Sequence, residues 1–358
     1  MKKNSIVYKL APQLKTYHLL GEIWKPFIMY IVRPNFRSTV VNSDQFGLRF
    51  NDLDHKDSLE INKNNSIFNK KIFSKKKETA VVVGSSAAFG IGASSDASTI
   101  SSLLSKQTNI HFFNLGCPAF SGFQEIILFQ SLANYLTKIN KIVIFSGLND
   151  IILTNYISTY DPILGPFFFS NAFIEGMTNA TLNWKRSLTK FFLNPFTKDN
   201  IHWNLITTKE LYDYFIKKKS YRSDKLTDRE ENLKNLMKRN LICWSNIQKT
   251  MGVKVIYVLQ PKPNWCNKDL SEEETKILKE LDSSSYKTVQ TLRLLDFAKY
   301  NSYRTYLTEI CNSLDIEFID SNDYISSKNF HKEWLFVDRT HMTDLGYKYI
   351  SEMILSRL

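Results

Sequence analysis

A run of valines, Val81-Val82-Val83, leads directly into Gly84-Ser85-Ser86, and this junction constrains the chain more than any other stretch. A short segment that is apolar and β-branched at every position lacks the alternation of a half-solvated strand. It reads as a strand buried on both faces, as in the middle of a parallel sheet. A Gly-Ser-Ser turn at the end of such a strand lifts a serine hydroxyl out of the carboxyl edge of the sheet, where the next N–H groups open a helix. The chain has 358 residues, 43% of them hydrophobic and 23% charged, enough to bury the large core that such a sheet needs.

From Thr79 onward the rhythm is strand, helix, strand. Thr79 to Val83, Ile110 to Phe113, Lys141 to Phe145, Val253 to Leu259 and Ile316 to Ile319 are strand-like runs. Thr99 to Ser105 starts a helix, and a helical stretch fills Phe123 to Leu136. Apolar runs alternating with amphipathic helices predict an α/β fold of three layers, a parallel sheet with helices on both faces. Two helix starts carry a capping-box pattern. Thr227-Asp228-Arg229-Glu230 opens an apolar stripe from Leu233 to Met251 that stops at Gly252, and Ser271 with Glu274 repeats the pattern. A last helix, Leu345 to Leu358, follows Asp338-Arg339-Thr340-His341.

Residues 1–77 read as an N-terminal extension, with strand and turn character over Val40 to Arg49 and a polar, basic end from Asn62 to Lys77. Residues 78–358 read as the main domain. At about 151–225 its rhythm breaks into an insertion rich in aromatics, among them Phe167-Phe168-Phe169, Trp184, Phe191-Phe192 and Trp203. That composition is too aromatic for a disordered linker. Because the insertion leaves the core just after Asn149-Asp150, a cap over a substrate and a separate structural subdomain are both open readings.

The net charge of +12 comes from lysines spread along the whole chain and often alternating with Asn and Ser. That pattern predicts a solubilising surface and no nucleic-acid partner. Cys117, Cys243, Cys266 and Cys311 lie far apart with no CxxC spacing, which argues against zinc and against a disulfide framework. Free thiols in a reducing compartment are expected. The start of the chain lacks a signal-peptide pattern, so the expected location is the cytoplasm. The apolar run Phe27 to Val32 is far shorter than the roughly 20 residues of a spanning helix. Packing against the main domain is its expected role. The alternative is peripheral contact with the inner membrane face through Trp24, Phe27, Ile28, Tyr30 and Ile31.

A serine hydroxyl is a poor nucleophile until a base takes its proton. The base needs a partner to fix its tautomer, and a developing oxyanion needs preorganised donors. Four segments hold residues of these types. Ser86 ends the first strand, Asn114-Leu115-Gly116-Cys117-Pro118-Ala119 follows the second, and Ser146-Gly147-Leu148-Asn149-Asp150 follows the third. Asp338 and His341 come last, near enough in sequence for the carboxylate to hold the imidazole within one turn. All four belong at the carboxyl ends of strands, where open α/β sheets carry their sites. Each segment also has a plain reading: Ser86 as a helix N-cap, Asn149-Asp150 as an ordinary turn, Asp338 as a cap and His341 as a surface histidine. His18, His55, His111, His202 and His331 have no comparable neighbourhood, with His111 expected inside the second strand.

Gly84-x-Ser86 with Gly90, the Asn114 block, Gly147-x-Asn149-Asp150 and Asp338-x-x-His341 resemble, in order, the four blocks of SGNH (GDSL-type) hydrolases, over about residues 79–358. One block alone is weak, but four in order, each after a strand-like run, are specific. The resemblance implies a flavodoxin-like sheet, with Ser86 as nucleophile, His341 as general base and acid, and Asp338 orienting His341. It also implies an oxyanion hole made by the N–H groups of Ser86 and Ala119 and the side-chain amide of Asn149. Two positions depart from the family pattern: Ala119 stands where the family has glycine, and Ser85 where its motif name has Asp. The spacing to Gly90 favours Ser86 over Ser85 as the nucleophile.

The family includes carbohydrate acetylesterases, lipases, lysophospholipases and thioesterases. The leading expectation is an esterase that removes a small acyl group, acetyl first, from a glycan or other polar acylated substrate, with no metal or organic cofactor. An O-acyltransferase in surface-polysaccharide modification would use the same residues, and a lipid-directed esterase would suit the aromatic insertion. A binding protein on this scaffold would be expected to have a broken set of chemical residues, and this set is complete in the sequence.

Overall fold

The computed structural model describes residues 5–25, 27–51, 66–68, 78–154, 226–283, 297–328, 330 and 332–358. Numbered in chain order, β1 (Glu22–Lys25) and β2 (Met29–Val32) form an antiparallel hairpin. The strands β3 (Glu78–Gly84), β4 (Ile110–Gly116), β5 (Ile139–Ser146), β6 (Lys254–Leu259) and β7 (Glu317–Asp320) form the main sheet. Every pairing in it is parallel, and the order is β4-β3-β5-β6-β7. This is the flavodoxin-like order. The chain moves outward from β3 to β4, then returns past β3 to β5, leaving a switch point between β3 and β5.

Alternate residues of each strand face opposite sides, so the sheet separates two cores. Val81, Val83, Phe113, Leu115, Ile142 and Ile144 pack on one side with Leu241, Trp244 and Leu307. Val82, Phe112, Val143, Phe145 and Ile256 pack on the other with Ile100, Leu104, Ile350 and Ile354. Covered faces explain the unbroken apolar runs: a parallel strand in the middle layer has no wet side.

The described residues of the N-terminal segment share the first of these cores. Val7, Leu14, Tyr17, Tyr30, Leu48 and Phe50 lie in the same buried cluster as Val81 and Val83. Within the run Phe27 to Val32, Ile28 and Tyr30 to Val32 are buried, whereas Phe27 at the hairpin tip is 91% exposed. Val40 to Arg49 forms a turn closed by one Ser43–Arg49 bridge and not a strand. Asp44 Oδ1 accepts from Phe46 N–H and Leu48 N–H, which fixes that turn locally. Among the described residues no helix is long and apolar enough to cross a membrane.

Boundaries shift where side chains override the apolar pattern. The second strand runs on through Asn114 to Gly116. The helical stretch foreseen to Leu136 ends at Ser131 and continues as a 3-10 turn, Ala133–Tyr135. Its start carries a capping box, Ser121 with Gln124. Ser271 and Glu274 form the expected box. The helix that follows spans Leu226–Met251, so Thr227 lies within it and not before its start. Glu230 instead pairs with Lys234 at 3.0 Å and accepts from Ser302 Oγ. Of the aromatic insertion, the structure describes only the helix Leu148–Thr154 at its start, and residues 155–225 lie outside the described residues.

The short helix Ser86–Phe89, which follows β3, rests directly on the end of β4. A Cβ on Gly116 would lie 2.1 Å from Phe89 N, a backbone atom that cannot rotate away. Gly116→Ala is therefore expected to destabilise the fold by about 2 kcal/mol or more, in the range of overpacked cores. Urea unfolding checks this; a variant with wild-type stability would mean that this helix can move off the sheet freely.

Candidate active site

β3 delivers the chain to Ser85, which precedes the one-turn helix Ser86–Phe89 without making a side-chain cap. Ser86 is thus the first helical residue and not its N-cap, and its hydroxyl is free for another partner. Gly90, with φ of 93°, ends the helix in the left-handed region, where its N–H bonds the carbonyls of Ser86 and Ala87. Ser85 is buried at 1% exposure, so the register question falls to Ser86.

The segment from Phe336 to Met342 doubles back through an isolated antiparallel bridge between those two residues. Val337 N–H bonds His341 O at 2.9 Å across the neck of this loop. Inside it, Asp338 Oδ1 accepts the N–H groups of both Thr340 and His341 at 2.7 Å. The other carboxylate oxygen, Oδ2, lies 2.6 Å from His341 Nδ1. His341 Nε2 in turn lies 2.7 Å from Ser86 Oγ. With Nδ1 donating to a carboxylate, Nε2 of a neutral ring carries no proton and accepts from the serine hydroxyl. Burial pushes the Asp338 carboxyl up, but the His341 ring and the N–H donors of Thr340 and His341 outweigh it and hold the group below its ordinary value. Asp338 therefore stays ionised beside the ring.

The two remaining expected donors lie on the loops after β4 and β5. Ala119 has φ of 60°, a left-handed conformation that favours glycine. Asn149 is in the first turn of the helix Leu148–Thr154, and its Nδ2 donates to Phe120 O at 2.7 Å, tying it to the loop that carries Ala119. One amide hydrogen is thereby used and the second remains. Among the described residues, the Ser86 and Ala119 N–H groups make no hydrogen bond within the protein.

Several further polar residues, outside the expected catalytic set, hold these loops. Asn114 Nδ2 reaches the carbonyls of Ala88 and Phe89 at 3.2 and 3.4 Å, bracing the helix Ser86–Phe89 from β4. Gln260 Nε2 donates to Thr340 O at 2.5 Å, inside the Asp338–His341 loop. Arg339 forks onto Asp282 and reaches Asn264 Oδ1 at 3.0 Å. Glu274 is wholly buried; its Oε1 accepts the N–H groups of Leu335 and Phe336 at 2.9 and 3.0 Å, and its Oε2 meets Lys268 Nζ at 2.5 Å. The Ser271–Glu274 signal announced only the helix start and not this second task.

Beneath Asn149 lies a cluster of buried acids. Glu125 Oε1 accepts from Ser146 Oγ at 2.6 Å, and Asp150 accepts from Gly122 N–H at 3.0 Å. Together with Asn240 and Tyr257 they line a small, partly open pocket of about 20 Å³, enough for one water. Cys117, near the Ala119 loop, is buried, and burial pushes its thiol far up, so it is no thiolate nucleophile. All four cysteines are free. His111 lies in β4 against Phe113, and His18 meets Tyr8 edge to face. His55, His202 and His331 lie outside the described residues.

No family model matches the chain, and no curated protein matches it. Solved structures do align with it. A lipolytic protein of the G-D-S-L family from Veillonella parvula matches with a TM-score of 0.40 and 12% identity, over 78% of this chain and 97% of that one. The acetyl xylan esterase AlAXEase matches at 0.39 and 10%, over 78% and 99%. A lipase/acylhydrolase from Enterococcus faecalis matches at 0.39 and 12%, over 78% and 94%.

Burial pushes the Glu125 carboxyl up to about 8, with the Ser146 hydroxyl pulling the other way. An unfolded chain would titrate the same group near 4.3. Between these values the folded state holds a proton that the unfolded state has lost, so stability falls as pH rises through that window. Glu125→Gln should flatten this fall. Its melting temperature is expected to drop less than that of the wild type between about pH 5 and about pH 8. Parallel curves for the two proteins would mean that Glu125 is already ionised in the fold.

Proposed function

We propose that the chain is a serine esterase of the SGNH type that removes a small acyl group, acetyl first, from a carbohydrate or related polar substrate. The observation that carries this reading is the relay of two short contacts, Asp338 Oδ2 to His341 Nδ1 at 2.6 Å and His341 Nε2 to Ser86 Oγ at 2.7 Å. The acyl preference rests on the resemblance of the four ordered blocks.

In this scheme Ser86 Oγ attacks the ester carbonyl while His341 Nε2 takes the hydroxyl proton. Asp338 stays ionised and stabilises the imidazolium that forms. Charge develops on the carbonyl oxygen, where the N–H groups of Ser86 and Ala119 and the remaining amide hydrogen of Asn149 receive it. His341 then returns its proton to the departing alcohol, leaving an acyl-Ser86 ester. A water, deprotonated by His341, attacks that ester and releases the acid.

Hydrolysis of a p-nitrophenyl ester series, from acetyl to long acyl chains, tests the reading. Acetyl is expected to turn over fastest, and Ser86→Ala should lower kcat by several orders of magnitude, since the relay acts as a unit. Asn149→Ala should cost about 10²–10³-fold in kcat, the usual effect of one lost oxyanion donor. Equal turnover by the wild type and Ser86→Ala would remove Ser86 from the chemistry. A long-chain preference would move the substrate to lipids, and acyl transfer to an added sugar in place of hydrolysis would make the enzyme an acyltransferase.

A further inference from the structure

Arg49 belongs to the N-terminal segment, far from every motif, yet it has no exposed surface at all. Its guanidinium fans out over the loop that carries Ser86. Nη1 donates to Phe89 O at 3.0 Å and Gly90 O at 2.9 Å, the carbonyls at the end of the helix Ser86–Phe89. Nη1 also lies 3.0 Å from Tyr17 Oη, whose hydroxyl is 2.8 Å from both Gly90 O and Ala93 O. Nη2 donates to Val40 O at 2.8 Å. Nε meets Asp96 Oδ1 at 2.7 Å, and Asn42 Nδ2 holds the other oxygen of that carboxylate at 2.7 Å.

A helix of a single turn has almost no stability of its own. Its last carbonyls need donors from elsewhere, and a cation at that end also favours the helix dipole. Here Asn114 supplies one donor from the sheet, and Arg49 supplies the charge from the N-terminal segment. Burying an arginine is costly unless its charge is paired and its donors are used, and Asp96 with the ring of carbonyls meets both conditions. The carbonyls it grips are within four residues of the hydroxyl that faces His341.

We infer that Arg49 is a positioning residue for Ser86: with Tyr17 and Asp96 it locks the nucleophile helix against the N-terminal segment, which thereby becomes part of the working site. This rests on the serine chemistry proposed above. A lysine at this position keeps the charge but loses the fork, so it can satisfy only part of the set. A displacement of about 1 Å at a reacting atom costs as much as 10²-fold in rate.

The test compares wild type, Arg49→Lys and Tyr17→Phe, each checked for folding by circular dichroism. It reads kcat and KM on p-nitrophenyl acetate and the rate at which a fluorophosphonate labels Ser86. Folded Arg49→Lys is expected to lose about tenfold or more in kcat and in labelling rate, with KM little changed. Tyr17→Phe should lose less in the same direction. Folded Arg49→Lys with wild-type kcat and labelling overturns the inference. If Arg49→Lys does not fold, Tyr17→Phe decides: wild-type rates overturn the inference, and a lower kcat at constant KM supports it. A wild-type protein that the probe never labels would instead remove the serine reading itself, which separates the two failures.

Discussion

A parallel sheet covered on both faces leaves only the ends of its strands for polar chemistry, and the rest of this structure follows from that constraint. Val81, Val82 and Val83 are wholly buried, as are Ile142 to Phe145, so these stretches leave no place for a charged group. Ser86, Ala119 and Asn149 all lie just past a carboxyl end, on β3, β4 and β5 respectively. The switch point between β3 and β5 opens the crevice there, because the connections from those two strands leave in different directions. Close packing sets the scale of tolerance. With backbone only 2.1 Å from where side-chain atoms would begin at Gly84 and Gly116, the helix Ser86–Phe89 has little room to settle elsewhere.

The Asp338–His341 loop is held in a different way, by polar anchors from unrelated elements. Glu274 receives the strand-like approach through Leu335 and Phe336, Arg339 ties the loop to Asp282, and Gln260 reaches Thr340 from the end of β6. Glu274 and Gln260 each satisfy backbone groups, and Arg339 pairs side chain to side chain, so removing one anchor leaves a donor, acceptor or charge without its partner. The loop's own contribution is the paired N–H groups that Asp338 collects, which keep the carboxylate ionised in a partly buried position.

The sheet was legible because burial on both faces writes itself directly into the composition of each strand, and the five apolar runs from Thr79 onward became strands, whereas Val40 to Arg49 did not. The meeting of Ser86, Asp338 and His341 was legible because their side-chain types are scarce, ordered, and placed after those runs. Arg49 and Gln260 were not legible. Each bonds carbonyls that any residue type would present, so nothing at the far end of the contact marks it in the sequence. Thr227 misled for the opposite reason: a capping pattern is local, and a longer helix ran through it. Ala119 lay between these cases, since its role was read by alignment to a motif while its left-handed backbone could be seen only in three dimensions.

The contact between Ser86 and His341 spans 255 positions of the chain. In the serine chemistry proposed above, a ribosome therefore releases the nucleophile long before its base exists. During that interval Ser86 is an ordinary alcohol, unable to react with the acyl esters around it. Until the Asp338–His341 loop is made and folded onto the helix Ser86–Phe89, the two halves of the proposed relay cannot meet, and a product truncated before His341 would lack the second half.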